Sequence, residues 1–137
     1  MYVFPTDQQI EEFTSGDPDL PILMVNLVRF RENAFYPDGS DHVPCSGREA
    51  FEERYARNAS IIAEKIGARL LIGEAVKNIF IGPMDENWDR FYLIWYPNTQ
   101  VFLDLLVTPA YLELAVHRVA GLLDSRIYKC DGSGVEL

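Results

Sequence analysis

The sequence predicts an α+β domain of the ferredoxin-like type, in which helices cover one face of a four-stranded antiparallel sheet. Three observations support this prediction. The elements read from the chain follow the order (α)-β-α-β-β-α(α)-β, which is the split βαβ pattern. Apolar residues make up 48% of the 137 residues, which is enough for a core in one domain of ordinary size. Neither face of the first predicted strand is polar, so both sides of the sheet need cover.

Residues 1–20 are predicted to form an N-terminal helical extension that lies on the domain. Thr6 and Gln9 have the spacing of a capping box at the start of a helix. The first seven residues lack the basic and apolar regions of a signal peptide, and no run of about 18 apolar residues follows. Together with Cys45 and Cys130, which we expect to be free thiols, this predicts a cytoplasmic protein.

Residues 21–130 are predicted to form the ferredoxin-like domain. The first strand, residues 21–30, is apolar on both faces apart from Asn26. A loop over residues 31–45 follows, and loops of this length are often functional or mobile. From Phe51 to Ile66 an apolar residue recurs every three or four positions, which predicts a helix.

The second half of the domain is predicted to contain a hairpin, two helices and a last strand. Gly67 is expected to end the preceding helix, and Gly73 to mark a bulge in the hairpin. Thr108 and Pro109 have the residue types that begin a helix. A flexible tail is expected after residue 130. The remaining predicted ranges are strands 68–81 and 88–96, helix 99–107 and strand 125–130.

One face of the predicted sheet is left without helices. Both alternating residue sets of the first strand are apolar, so the uncovered face would expose several hundred Å² of apolar surface. A face-to-face homodimer is the simplest way to cover it.

The charge and the absence of known motifs argue against several classes of function. The net charge is −9, from 12 basic and 21 acidic residues, which argues against binding to nucleic acid or to an anionic membrane. The sequence has no phosphate-binding glycine loop, nucleophile elbow or HExxH motif. With only His42 and His117, a multi-histidine metal site is not expected. We therefore predict no cofactor and no metal.

Three stretches resemble the family known as domain of unknown function 1330, in the dimeric α/β-barrel superfamily. They are residues 24–30, residues 88–97, and Thr108-Pro109-Ala110-Tyr111 leading to His117-Arg118 and residues 124–126. Thr108 and Ala110 depart mildly from the family pattern. The resemblance covers about residues 21–130 and implies the fold and a dimer. Its superfamily includes cofactor-free monooxygenases, lactone isomerases, haem enzymes and stress-response proteins, so it implies no single reaction.

Several polar residues are candidates for binding a substrate. Asn26 interrupts an apolar strand, and its buried amide either ties neighbouring segments together or faces a ligand. Arg29 lies on the opposite face of that strand, where it either holds an anion or forms a salt bridge. The strand from residue 88 places Trp88, Arg90 and Tyr92 on one face, which suits either a pocket or a dimer interface.

The helices supply further candidates. Tyr55 lies on the inner stripe of its helix, either as a core residue or as a ligand contact. At 100° per residue, His117 points with Glu113 and Asp124, whereas Arg118 lies at the edge of the buried stripe. Arg118 is thus a candidate for substrate binding or for a partly buried ion pair.

Two residues are candidates for a general base. His117 has a suitable reference pKa, although its direction on the helix also predicts an exposed side chain beside carboxylates. Glu74 follows the expected bulge. Two functions remain open at this point. One is a metal-free enzyme of the isomerase or cofactor-free oxygenase type, acting on a small carboxylate or aromatic compound. The other is a non-catalytic dimeric binding or stress-related protein.

Overall fold

The computed structural model describes residues 1–137, and it confirms the ferredoxin-like fold. The strands pair antiparallel in the order β2-β3-β1-β4. Helix α2 is continuous but has three segments. The elements are α1 Asp7–Thr14; β1 Ile22–Phe30; α2 Gly47–Glu49, Ala50–Ala56 and Arg57–Lys65; β2 Arg69–Ala75; β3 Arg90–Tyr96; α3 Thr99–Leu106; α4 Pro109–Gly121; and β4 Leu122–Asp131.

The predicted helix boundaries follow from side-chain caps. The Thr6 hydroxyl accepts from the backbone N–H of Gln9, whose side chain accepts from the N–H of Thr6, so the capping box is confirmed. Thr108 caps α4, and Pro109 occupies its first turn. Gly67 has a φ of 98°, a left-handed conformation that glycine adopts without steric cost and that ends α2.

The helices pack on one side of the sheet, which we call the covered face. Ile22, Met24 and Tyr96 on this face pack against Ala63 of α2 and Leu105 of α3. A second cluster of buried residues joins Val28 to Phe51 and Leu122. Alternate residues of the same strands form the opposite side, the open face. Its apolar residues lie outside both clusters and include Leu23, Val25, Leu27, Ile72, Phe91, Leu93, Trp95 and Tyr128.

The structure differs from the sequence prediction in the hairpin and the last strand. Strand β2 ends at Ala75 and β3 begins at Arg90, so residues 76–89 form a longer connection than predicted. The register shift lies between Leu70 and Ile72, not at Gly73. Strand β4 begins at Leu122 because the chain passes directly from α4 into the sheet.

Residues Ala50–Ala56 of α2 are π-helical, which the apolar spacing did not predict. The backbone N–H of Arg57 accordingly bonds to the carbonyl of Glu52, five residues earlier. The start of α2 also approaches the end of α4 closely. A Cβ atom at Gly121 would lie 2.6 Å from the carbonyl oxygen of Gly47, so only glycine fits there.

The loop over residues 31–45 lies against the helices. Backbone N–H groups of Arg31 and Phe35 donate to the carbonyls of Gly121 and Ala120 at the end of α4. No single helix is long and apolar enough to cross a membrane; α3 and α4 reach that length and hydropathy only together, with a bend of 78° between them. The cytoplasmic location stays a prediction.

Candidate functional site

A cavity of about 1390 Å³ lies between the covered face of the sheet and helices α2 and α4. Residues from the N-terminal segment, including Val3 and Phe13, form part of its wall. Of the 40 residues that line it, 27 are hydrophobic. A concave, largely apolar space with a few polar groups is typical of small-molecule sites.

Tyrosines from α2, α4 and β3 line this cavity. The hydroxyls of Tyr55 and Tyr111 are 2.8 Å apart and share one hydrogen bond. Burial raises the pKa of Tyr55 well above its usual range, the neighbouring Tyr111 adds to the rise, and the charge of Arg118 opposes it. Burial also raises the pKa of Tyr96. These phenols are therefore neutral at physiological pH and can donate hydrogen bonds.

Arg90 and Tyr92 of β3 line the cavity near the π-helical segment of α2. Arg90 Nη1 lies 3.3 Å from the Glu52 carboxylate, and Nη2 donates to the carbonyl of Gly73. The Tyr92 ring lies over Gly73, where a Cβ would approach Cδ1 to 2.7 Å. Burial raises the pKa of Tyr92, while the charge of Arg90 opposes the rise.

Asn26 and Arg118 also line the cavity, but neither has a strong side-chain partner. The Asn26 amide donates to the carbonyl of Met24 at 3.2 Å, a contact within its own strand. Arg118 Nη1 donates to the carbonyl of Val3 at 2.7 Å. Arg118 forms no ion pair, so the alternative of a partly buried salt bridge is wrong.

The N-terminal segment, residues 2–13, is hydrogen-bonded to β4 at both of its ends. The Ser125 hydroxyl donates to the carbonyl of Tyr2, and Asp124 accepts from the N–H of Tyr2. Burial raises the pKa of Asp124, but hydrogen bonds from Tyr2, Arg126 and Ser125 outweigh it, so the pKa is lowered. Lys129 Nζ donates to the carbonyl of Phe13. The segment thus forms one wall of the site.

Three of the predicted site residues lie outside the cavity. Arg29 is on the open face, where its register partner is Asp124. Glu74 is exposed and pairs in register with Phe91, also on the open face. Trp88 precedes β3 and therefore does not follow the alternation of Arg90 and Tyr92. Its ring lies 4.9 Å from the guanidinium carbon of Arg126.

His117 also lies outside the cavity, in what we call the outer cluster: Tyr36, His42, Arg54 and His117. Its Nδ1 is 2.7 Å from the Tyr36 hydroxyl, which accepts from Arg54 at 3.1 Å. The His42 ring lies 4.8 Å from the His117 ring. Burial, His42 and Arg54 lower the pKa of His117. The expected exposure of His117 is wrong because the loop over residues 31–45 covers this side of α4, and Asp124 lies in β4, beyond the end of the helix.

We call Tyr55, Tyr111 and Arg118 the inner cluster. The structure thus brings five predicted site residues to the cavity: Asn26, Tyr55, Arg90, Tyr92 and Arg118. Sequence reasoning missed Glu52 and the role of Tyr111. A hydrophobic stripe identifies Tyr111 as inward, but nothing in the sequence pairs its hydroxyl with that of Tyr55. No group of three or more His, Cys, Asp or Glu side chains is arranged to hold a metal ion.

No protein-family model and no curated protein matches the chain. Two solved structures of one bacterial protein do. RPA0582 of Rhodopseudomonas palustris, a structural genomics target of unknown function, is 32% identical with a TM-score of 0.85, covering 95% of each chain. The methylated RPA0582 protein is 33% identical with a TM-score of 0.86, covering 95% of this chain and 93% of that one.

The chain belongs to the family of RPA0582. A third structure, At3g17210 from Arabidopsis thaliana, is 16% identical with a TM-score of 0.51, covering 85% of this chain and 99% of that one. This likeness concerns the fold alone. The similarity to RPA0582 covers 95% of this chain, so about seven of its 137 residues are left out. Most of the N-terminal residues 1–20 therefore lie within it.

Proposed function

We propose that the protein binds a small, largely apolar molecule in the cavity between the helices and the covered face. The observation that carries this proposal is the combination of size, about 1390 Å³, with an apolar wall in which tyrosine hydroxyls are neutral donors. The cavity exceeds the volume of roughly 300–1000 Å³ that is usual for ligand sites. A small carboxylate or aromatic compound fits such a wall.

A metal-free enzyme of the isomerase or cofactor-free oxygenase type is one form of this function. Neutral phenols in a dry site could stabilise charge that develops on a carbonyl oxygen. The base would be Glu52, whose carboxylate lines the cavity and is held by Arg48 and Arg90. A non-catalytic binding or stress-related protein is the alternative. It is favoured by the positions of Glu74 and His117, neither of which lines the cavity.

The open face supports the further proposal of a homodimer. Val25, flanked in register by Leu93 and Tyr128, lies in an apolar row that no helix covers. Burying about 600 Å² of such surface would contribute roughly 15 kcal/mol before the cost of association. Sedimentation at micromolar concentration should show twice the 15.6 kDa mass of one chain. A 15.6 kDa species alone would remove the dimer from the proposal.

We also propose that the chain is a member of the domain of unknown function 1330 family.

Native mass spectrometry tests the cavity directly. We expect the purified protein to retain a bound small molecule, and Ala115→Trp to exclude it, because Ala115 lines the cavity and indole would fill part of it. Ala110→Trp is the matched control, since Ala110 is exposed on the same helix. If all three proteins carry the same adduct, the ligand binds elsewhere and the proposal is wrong.

A further inference from the structure

Arg118 differs from the other arginines that line the cavity. Arg57, Arg90 and Arg126 each form an ion pair with a carboxylate, whereas Arg118 forms none. Carboxylates are plentiful in this chain, which has 21 acidic and 12 basic residues. A cation beside an apolar wall is stabilised when an anion joins it. The acceptor that the protein gives Arg118 is the neutral carbonyl of Val3, so its charge is not balanced within the chain. This points to a negative charge that comes from a ligand.

The tyrosine pair supplies a second donor to the same part of the cavity. Tyr55 and Tyr111 carry two hydroxyl protons, and the hydrogen bond between them uses one. The other proton has no acceptor in the protein. Arg118 follows Tyr111 by seven residues, about two turns of α4, so both side chains lie on the same side of the helix, and both line the cavity. The remaining N–H groups of the guanidinium and one hydroxyl proton of the tyrosine pair are thus available to an acceptor in the cavity.

We propose that Arg118 and the Tyr55–Tyr111 pair bind the carboxylate of a ligand that carries one negative charge and an apolar body. This inference rests on the proposed function, since it names the chemical class of the molecule in the same cavity. A guanidinium matches a carboxylate in plane and spacing, and charge-assisted hydrogen bonds of this type are short and strong. The apolar body lies against the hydrophobic part of the wall.

The charge balance favours a monocarboxylate over a phosphate. Lys129 is the other cavity cation without a carboxylate partner. Both cations donate to a backbone carbonyl, but Lys129 is exposed at the rim, beside solvent, whereas Arg118 is half-buried. One guanidinium balances one charge. A phosphate dianion would bring a second charge into a wall in which most residues are hydrophobic, and that charge would be costly to desolvate.

The test compares acids with neutral analogues of the same shape. The probes are decanoate against decanamide, and naphthalene-2-carboxylate against naphthalene-2-carboxamide, titrated calorimetrically into the full chain. We expect at least one of the two acids to bind, and to bind at least ~10-fold more tightly than its amide, because hydrogen bonds to charged groups are the stronger ones. This comparison needs no variant, so it is independent of any effect of mutation on folding.

Variants locate the charge. Arg118→Met should weaken binding of that acid by at least ~10-fold and leave its amide unchanged, while Arg118→Lys should fall between the two. His117→Gln is the matched control, because His117 is the next residue of the same helix and lies outside the cavity. It should leave both affinities unchanged.

The outcomes separate the two proposals. Equal affinities for acid and amide in the wild-type protein would overturn the carboxylate inference but leave a ligand-binding cavity. An acid preference that survives Arg118→Met would overturn the assignment of Arg118. Absence of binding by all four probes would count against the inference and, together with the absence of any retained molecule, against the proposed function itself.

Discussion

Helix α4 separates two clusters that have similar residues and different surroundings. The inner cluster joins Tyr111 and Arg118 to Tyr55 of α2, inside a cavity. The outer cluster joins His117 to Tyr36 and Arg54, beneath a loop. Each contains a hydrogen-bonded tyrosine and an arginine. Adjacent residues 117 and 118 point in different directions because successive helical side chains are about 100° apart. Direction on the helix, more than residue type, therefore decides which cluster can meet a ligand.

The largest expected effect comes from the junction that supports both clusters. In Gly121→Ala the new Cβ would lie 2.6 Å from the carbonyl oxygen of Gly47 and 2.9 Å from the backbone nitrogen of Phe51. The better helix propensity of alanine contributes only about 1 kcal/mol, whereas the overlap costs about 3 kcal/mol or more. Urea unfolding should therefore show a clear loss of stability. Gly134→Ala, with no neighbour within 4 Å, is the control. Equal unfolding midpoints for both variants would contradict this description of the junction.

A pair of hydroxyl deletions compares the clusters themselves. Tyr111→Phe leaves the buried hydroxyl of Tyr55 without its partner and should cost about 1 to 2 kcal/mol. Tyr36→Phe removes contacts to Arg54 and His117, but water can replace them at this half-buried position, so the cost should stay below about 1 kcal/mol. Chemical denaturation of both variants measures the difference. A larger loss for Tyr36→Phe would reverse the comparison.

The smallest expected effect is a pH dependence of the outer cluster. Burial, His42 and Arg54 lower the pKa of His117 below 6.5, so the unfolded chain binds its proton more readily. The stabilisation by neutral His117 is thus complete above about pH 6.5 and is lost as the pH falls through the lower folded pKa. Between about pH 7 and pH 5, the free energy of unfolding should fall more steeply in the wild type than in His117→Gln. Parallel curves would show that His117 does not titrate differently on folding.

The sequence predicts the sheet well because its information is local. Alternation, capping residues such as Thr6, and Gly67 act within a few positions, and they define most elements. The helical wheel also distinguishes Arg118 from His117 correctly. What is missed depends on distant contacts. Tyr36 lies 81 positions from His117, and its loop hides a face of α4 that looks solvent-exposed from the sequence.

The candidate site shows the same division between local and distant information. Asn26, Tyr55, Arg90, Tyr92 and Arg118 could be predicted to face one side of the sheet or of a helix. Glu52 was missed because its ion pair with Arg90 joins α2 to β3, and no local pattern in the sequence indicates that contact. Arg29 lies on the strand face opposite Asn26, as alternation predicts, and this is the open face; Glu74 lies on the open face too.

The π-helical segment is the part of α2 that can lose one residue without turning its two ends against each other. Between residues 50 and 56 the helix is wider than an α-helix, because each hydrogen bond spans five residues. Seven residues in this wider form turn the chain about as far as six residues of α-helix. Deleting one residue there would therefore restore α-helical pitch while Gly47 still faces Gly121. The same deletion in the α-helical part, Arg57–Lys65, would turn everything before it by about 100° relative to the rest. A shortening by one residue should therefore be tolerated better between residues 50 and 56 than later in the helix.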